Sequence, residues 1–244
     1  MNYDHNQSVR EIIKHVMFRC GFGRLVDARR HALGQPTDQI YQTSVADVFS
    51  QVYAKRIWAQ GGNDAILSGS GSTELATKEL RAQLEAFLKE VGCQKFVDIG
   101  CGDFNWMRNV DGDFEYLGID VVPELIDAHR ANYGSATRSF LCMDAIQSKL
   151  PSGDVALCRE VIFHLSLRDG LQVLRNIKSA GFKYVLLTSD TRIWFNSDIR
   201  TGDFRRINLS KPPFSLVKSV RELRDDKMYS GRVLAVWHGS DLPN

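Results

Sequence analysis

The run Phe96-Val97-Asp98-Ile99-Gly100-Cys101-Gly102-Asp103-Phe104-Asn105 most constrains what this chain can become. An apolar stretch long enough for one strand ends directly in a Gly-x-Gly turn. That order puts bare backbone at the carboxyl edge of a parallel sheet, where open α/β sheets bind their ligands. The neighbouring segments repeat the theme. Leu80, Leu84, Phe87, Leu88 and Val91 form a helical stripe that Gly92 ends. Strands are predicted at Lys95–Ile99, Tyr116–Asp120, Ser139–Met143, Val155–Arg159 and Tyr184–Ser189, with helices from Pro123 to Gly134 and through Leu167, Leu171 and Leu174 to Gly181. Strands alternating with helices imply βαβ units. Two further strands, Phe214–Val220 and Arg232–Trp237, lack a long helix between them and predict an antiparallel closing hairpin.

Ahead of this core, Val9, Ile12, Ile13, Val16 and Met17 predict an amphipathic helix over 8–20, with Ser8 as its N-cap. Gly21 and Gly23 close it. A polar, poorly patterned stretch runs to Thr43, and Ser44–Trp58 reads as a second helix. Gly61–Ser72, rich in Gly and Ser, is either a flexible connector or a flap over a site, and both readings stand. The organisation expected is a helical extension over 1–64 and one α/β domain over 65–244, which 244 residues allow.

A net charge of +2 excludes a strong electrostatic footprint, so no nucleic-acid partner is expected. The five cysteines form no CxxC pair; Cys101, Cys142 and Cys158, in or beside apolar runs, read as small buried hydrophobes in a reducing, cytoplasmic compartment, so no structural zinc is expected. No ligand spacing demands a divalent metal on Asp190 with Glu160 or Asp198. No apolar stretch reaches the ~20 residues of a membrane span. Arg10, Lys14, Arg19, Arg24, Arg29 and Arg30 limit any membrane contact to a peripheral one, with a solvated face as the simpler reading.

The acids around the glycine turn choose the ligand. A dinucleotide fingerprint needs a third glycine where Asn105 stands. Asp98 and Asp103 repel a pyrophosphate but suit an ammonium group, and S-adenosylmethionine carries an α-amino group, a sulfonium and no phosphate. Asp120 ends the next strand, placed to accept both ribose hydroxyls. Asp144 and Ala145 follow the third strand, placed to border an adenine. Asp is also a common turn residue at strand ends, so the weight lies in the joint pattern.

VDIGCGDFNWM resembles motif I of class I S-adenosylmethionine-dependent methyltransferases, YLGIDVVPELI motif II, FLCMDAI motif III, and DVALCREVIFHL the fourth-strand motif facing the transferred methyl. The resemblance covers roughly 65–238. It implies a Rossmann-like α/β fold with a seven-stranded, mostly parallel sheet and an antiparallel last strand. It also implies Asp98, Gly100, Cys101, Gly102, Asp120, Asp144 and Ala145 as cofactor contacts. SGSGS, GDFNWM, CREVIFHLS and NLSKPPF are similar to a bacterial group that includes saccharide O-methyltransferases, among them enzymes acting on the fucose of rhizobial nodulation factors. A saccharide or glycolipid acceptor is the corresponding expectation.

A sugar hydroxyl needs a base as its bond to the methyl forms. His164 is the candidate, with Glu160 four residues earlier as the group that orients it. Arg159 either holds the cofactor carboxylate or an acidic substrate group, or makes an ion pair with Asp98 or Asp120. Trp194, Asn196 and Asp198, in a polar-aromatic loop after the fifth strand, are candidate acceptor contacts or loop anchors. CREV stands where many base and amide N-methyltransferases carry Asn-Pro-Pro-Tyr, and the Tyr-x-x-x-Lys pair of short-chain reductases is missing. A small natural-product or metabolite acceptor, and a binding protein without turnover, remain the alternatives.

Overall fold

A computed structural model describes residues 5–35, 37–59, 66–227 and 229–244. Three helices open the chain: α1 (His5–Arg19), α2 (Gly23–Ala32) and α3 (Val45–Ala54). The α/β core then runs α4 (Glu74–Glu90), β1 (Lys95–Ile99), β2 (Glu115–Asp120), α5 (Pro123–Tyr133), β3 (Arg138–Cys142), β4 (Val155–Cys158), α6 (Leu167–Ala180), β5 (Tyr184–Asp190), β6 (Arg221–Arg224) and β7 (Arg232–His238). The strands form one seven-stranded sheet in the order β3-β2-β1-β4-β5-β7-β6. β1 to β5 pair in parallel, and β7 runs antiparallel to both β5 and β6.

Sequence chemistry sets these elements. Ser44, Thr73 and Ser166 cap α3, α4 and α6 by accepting the amides of Asp47, Ala76 and Asp169. Gly181 ends α6 in the left-handed conformation that a glycine adopts without steric cost. The central strands are buried on both faces, with Val97, Ile99, Val155, Ala156, Leu157, Val185, Leu186 and Leu187 at or near zero exposure. Strand order reverses between β1 and β4, and this switch point opens the crevice at the carboxyl edge.

Three expectations change. The sixth strand is Arg221–Arg224 rather than Phe214–Val220. Phe214 and Leu216 alternate as a strand would, but they are plugs in the core beneath a loop in which Ser215 has φ +49°. α2 occupies part of the stretch read as unpatterned, and Gly23 opens it rather than closing α1. Its docking face is polar, built on buried Asp27, so it carries no apolar stripe to detect. α1 begins at His5, upstream of the cap expected at Ser8. Residues 60–65 of the Gly- and Ser-rich segment lie outside the described residues. No helix among the described residues is long and apolar enough to cross a membrane.

Candidate functional site

The crevice and the open solvent at its mouth together make up about 930 Å³ of empty space. Its floor is the end of β1 and the turn after it. Gly100 and Gly102 adopt φ +77° and +57°, and a Cβ at Gly100 would strike Val161 while one at Gly102 would strike Ser68. The Gly100 and Cys101 amides donate to Ile119 O at 2.7 and 3.0 Å, locking the turn to β2. From α5, His129 Nε2 donates to Gly102 O at 2.7 Å, a support that no motif announced.

Asp120 stands at the rim of this turn. Its carboxylate accepts the Gly102 amide at 2.9 Å and the Val122 amide at 3.1 Å, which fixes its rotamer while leaving lone pairs for a ligand. Burial raises its pKa, and the amides of Gly102 and Val122 work against that shift. Asp144 and Ala145 line the same side, where Asp144 accepts the Ile146 amide at 2.8 Å. Asp98 does not line the crevice. Its carboxylate lies beneath the turn, accepts the Tyr116 hydroxyl at 2.8 Å, and is pushed up to about 7 by burial. A direct ligand contact from Asp98 is therefore corrected to a supporting position.

Asp103 also differs from expectation. It accepts the amides of Leu67 and Ser68 at 2.7 and 2.9 Å, latching the strap 66–72 over the glycine turn. Ser68 Oγ accepts the Asp103 amide, and Asn105 Nδ2 donates to Ser72 O. Asn105, which spoils a dinucleotide fingerprint, is a strap anchor.

On the opposite wall, Arg159 pairs with Asp225 at 2.9 and 3.0 Å, not with Asp98 or Asp120. It also donates to Gly71 O at 3.0 Å and lies over the Trp106 ring. Asp225 is shared with Arg232, which also pairs with Glu160. Burial opposes ionisation of Glu160, but the guanidiniums of Arg159 and Arg232 outweigh it and hold the carboxyl below its ordinary range. Glu160 thus belongs to a charge network and does not hydrogen-bond His164, because its φ of +61° turns it away from a helical start.

His164 lines the crevice between Trp58, with ring centroids 4.3 Å apart, and Phe204, at 5.4 Å. Its Nδ1 lies 3.0 Å from Asp203 O. A carbonyl only accepts, so Nδ1 carries the proton and Nε2 holds a lone pair. Burial lowers its pKa more than the Asp203 carbonyl and nearby Glu160 raise it, so the ring is neutral at neutral pH.

The expected acceptor loop is elsewhere. Trp194 is 56% exposed against Phe195. Buried Asn196 clamps the loop through the carbonyls of Asn208, Lys211 and Pro212. Asp198 accepts the Leu167 amide at the start of α6 and borders a second cleft. None of the three lines the main crevice. Its aromatic wall is Phe49, Tyr53, Trp58 and Trp106, three of them from the N-terminal segment. Their helical spacing gave no sign of facing a ligand. Among the described residues, no cluster of His, Cys, Asp or Glu could hold a metal ion.

No protein-family model matches the sequence, and no curated protein matches it. Solved structures do match. The chain is similar to the magnesium protoporphyrin IX methyltransferase ChlM from Synechocystis PCC 6803 with bound SAM, at 15% identity over 82% of this chain and 97% of that one, TM-score 0.54. It is similar to the N-methyltransferase NodS from Bradyrhizobium japonicum WM9 in complex with SAH, at 16% identity over 80% and 100%, TM-score 0.52. It is also similar to the mitomycin 7-O-methyltransferase MmcR, at 16% over 67% and 54%, TM-score 0.51. The fold is that of the class I methyltransferases.

Proposed function

We propose that the chain is an S-adenosylmethionine-dependent O-methyltransferase acting on a saccharide hydroxyl, with residues 1–64 as a helical cap that supplies one wall of the acceptor site. The observation that carries the reading is His164. Its ring is neutral, its Nδ1–H is tied to Asp203 O, and its Nε2 lone pair is left for an acceptor hydroxyl in the crevice that Asp120 borders. The bound cofactor would supply an electrophilic methyl on a sulfonium. Asp120 would accept the ribose hydroxyls, Asp144 and Ala145 would border the adenine, and Gly100, Cys101 and Gly102 would let the ligand approach the backbone. Of the acids, Asp103, Asp120 and Asp144 line the crevice and would suit this cation-bearing, phosphate-free ligand. His164 Nε2 would take the hydroxyl proton as the oxygen attacks. The crevice walls align the acceptor, which is the larger part of such a displacement.

Phe49, Tyr53 and Trp58 offer ring faces to the apolar side of a pyranose, with the Tyr53 hydroxyl as a polar neighbour. The motif resemblance favours a deoxyhexose such as fucose on a nodulation-type lipo-oligosaccharide, handled in the cytoplasm with no nucleic acid involved. A second reading, a flat natural-product acceptor, is favoured by the same aromatic wall. Incubation with methyl-labelled S-adenosylmethionine and fucosylated, unfucosylated and phenolic acceptors tests both. Label on the fucosylated glycan alone is expected. Label on the phenol alone overturns the saccharide reading, and no S-adenosylhomocysteine with any acceptor overturns the enzyme.

A further inference from the structure

Among the described residues the His164 imidazole makes one hydrogen bond, donated by Nδ1 to the main-chain carbonyl of Asp203. What fixes that carbonyl decides how well the ring is held. Asp203 sits in a loop pinned on one side to the segment carrying His164. Gly202 N donates to His164 O at 2.8 Å, Arg205 N to Phe163 O at 3.0 Å, and the Arg205 guanidinium to the carbonyls of Ile162 and Phe163. On the other side, the Asp203 carboxylate is claimed by the N-terminal helices. Arg30 of α2 grips both oxygens, at 2.7 and 2.9 Å, and Lys14 of α1 reaches Oδ2 at 3.3 Å. Next to it, buried Asp27 of α2 takes Arg200 at 3.0 Å and Tyr41 at 2.6 Å, and His15 Nδ1 accepts the Asp198 amide at 3.0 Å.

One residue therefore joins two systems: its side chain belongs to the α1–α2 pair and its carbonyl to the imidazole. We infer that Asp203 is a positioning residue through which the docked α1–α2 pair holds His164 in its Nδ1-protonated, cleft-facing state, so that the N-terminal helices govern whether the base is competent. The inference rests on His164 being the base, and it goes further by giving α1 and α2 a role without ligand contact.

The physical reasons are geometric and electrostatic. A bidentate Arg–carboxylate pair fixes direction as well as distance. The Asp203 side chain is about a tenth exposed, so solvent screens the pair poorly. Without it, the loop keeps its bonds to Phe163 but loses the anchor that aims the Asp203 carbonyl. The imidazole would then sample its other tautomer, which carries the proton on the nitrogen that must accept one. The charged groups facing His164 are Glu160, Asp203 and Arg205, and those facing Asp203 are Lys14 and Arg30. Neither cation lines the crevice, so removing them leaves every crevice-lining side chain in place.

The test uses the full chain. The Lys14→Ala/Arg30→Ala double variant removes both grips and leaves Asp203 itself intact. Arg30→Lys keeps the charge and loses the fork. Nitrogen-15 spectra of the histidines, assigned with His164→Gln, read the tautomer without turnover. In the wild type, His164 is expected with protonated Nδ1 and bare Nε2, and in the double variant as a mixture. Turnover is expected to fall roughly tenfold, part of the ~100-fold that a general base supplies. Cofactor Kd is expected to stay within about twofold, and Arg30→Lys to recover most of the rate. An unchanged tautomer in the double variant overturns the inference, as does unchanged turnover in a chain that methylates. If no acceptor is methylated by the wild type, the methyl-transfer reading fails, and the tautomer measurement still decides the Asp203 linkage.

Discussion

Replacing Asp120 with alanine removes the acceptor assigned to two ribose hydroxyls, and its cost can be worked from the structure. The carboxylate is buried and held by the Gly102 and Val122 amides, so it arrives at a ligand already oriented. Each hydrogen bond from a ligand hydroxyl to such a charged group is worth about 1.5–3 kcal/mol, and two give about 3–6 kcal/mol. At 1.4 kcal/mol per decade, S-adenosylmethionine affinity should fall by roughly two to four powers of ten. The free protein also suffers, since two buried amides lose their partner at about 1–3 kcal/mol each. A fall of several degrees in Tm should accompany the change, at ~2–4 °C per kcal/mol for a chain of this size. Calorimetric titration well below the variant's Tm separates the two effects. An affinity within threefold of wild type, in a folded variant, would refute the placement of the ribose at Asp120.

Other perturbations probe the rest of the site. His164→Ala should lower turnover by roughly 100-fold with cofactor binding retained, and the wild-type rate should stay flat above pH ~6.5 because burial keeps the ring neutral there; steady-state kinetics across pH reads both. Asp103→Ala frees the Leu67 and Ser68 amides from their latch, so cofactor dissociation should quicken in stopped-flow traces; an unchanged rate removes the strap from the site. Asp98, raised to about 7 by burial, binds its proton more tightly folded than unfolded. Its stabilising contribution is therefore full below pH ~4 and lost as pH rises towards 7. Asp98→Asn should flatten that limb of the Tm–pH curve, and a curve parallel to wild type contradicts the assignment. Trp58→Ala should raise acceptor KM more than it alters cofactor Kd, measured by initial rates and titration.

The core was legible in the sequence because its signals are local. Apolar runs against glycine turns mark β1, β2 and β5, and Asp120 and Asp144 fall at successive strand ends. What escaped depends on contacts distant in sequence. α2 docks through Asp27, Arg30 and Arg200, a polar face with no 3.6-residue apolar period. Phe214 and Leu216 imitate a strand because a loop plugging the core buries alternate residues too. The partner of Arg159 is Asp225, 66 positions away, and no spacing rule reaches that far. The aromatic wall of Phe49, Tyr53 and Trp58 escaped because all three fall within the one helix expected over Ser44–Trp58, and no local signal shows that α3 and the residues after it close over the crevice. His164 was found by its place after β4, but its partner is a backbone carbonyl, which carries no residue-type signature at all.

The most direct trial of the central claim is a single paired measurement. Wild type and His164→Ala are incubated with carbon-13-methyl S-adenosylmethionine and a fucosylated lipo-oligosaccharide, and S-adenosylhomocysteine and labelled glycan are quantified together. The account predicts equal amounts of both products with wild type, label on a sugar oxygen, and roughly a hundredth of that rate with the variant. Equal rates from the two proteins, or label on nitrogen, would contradict it.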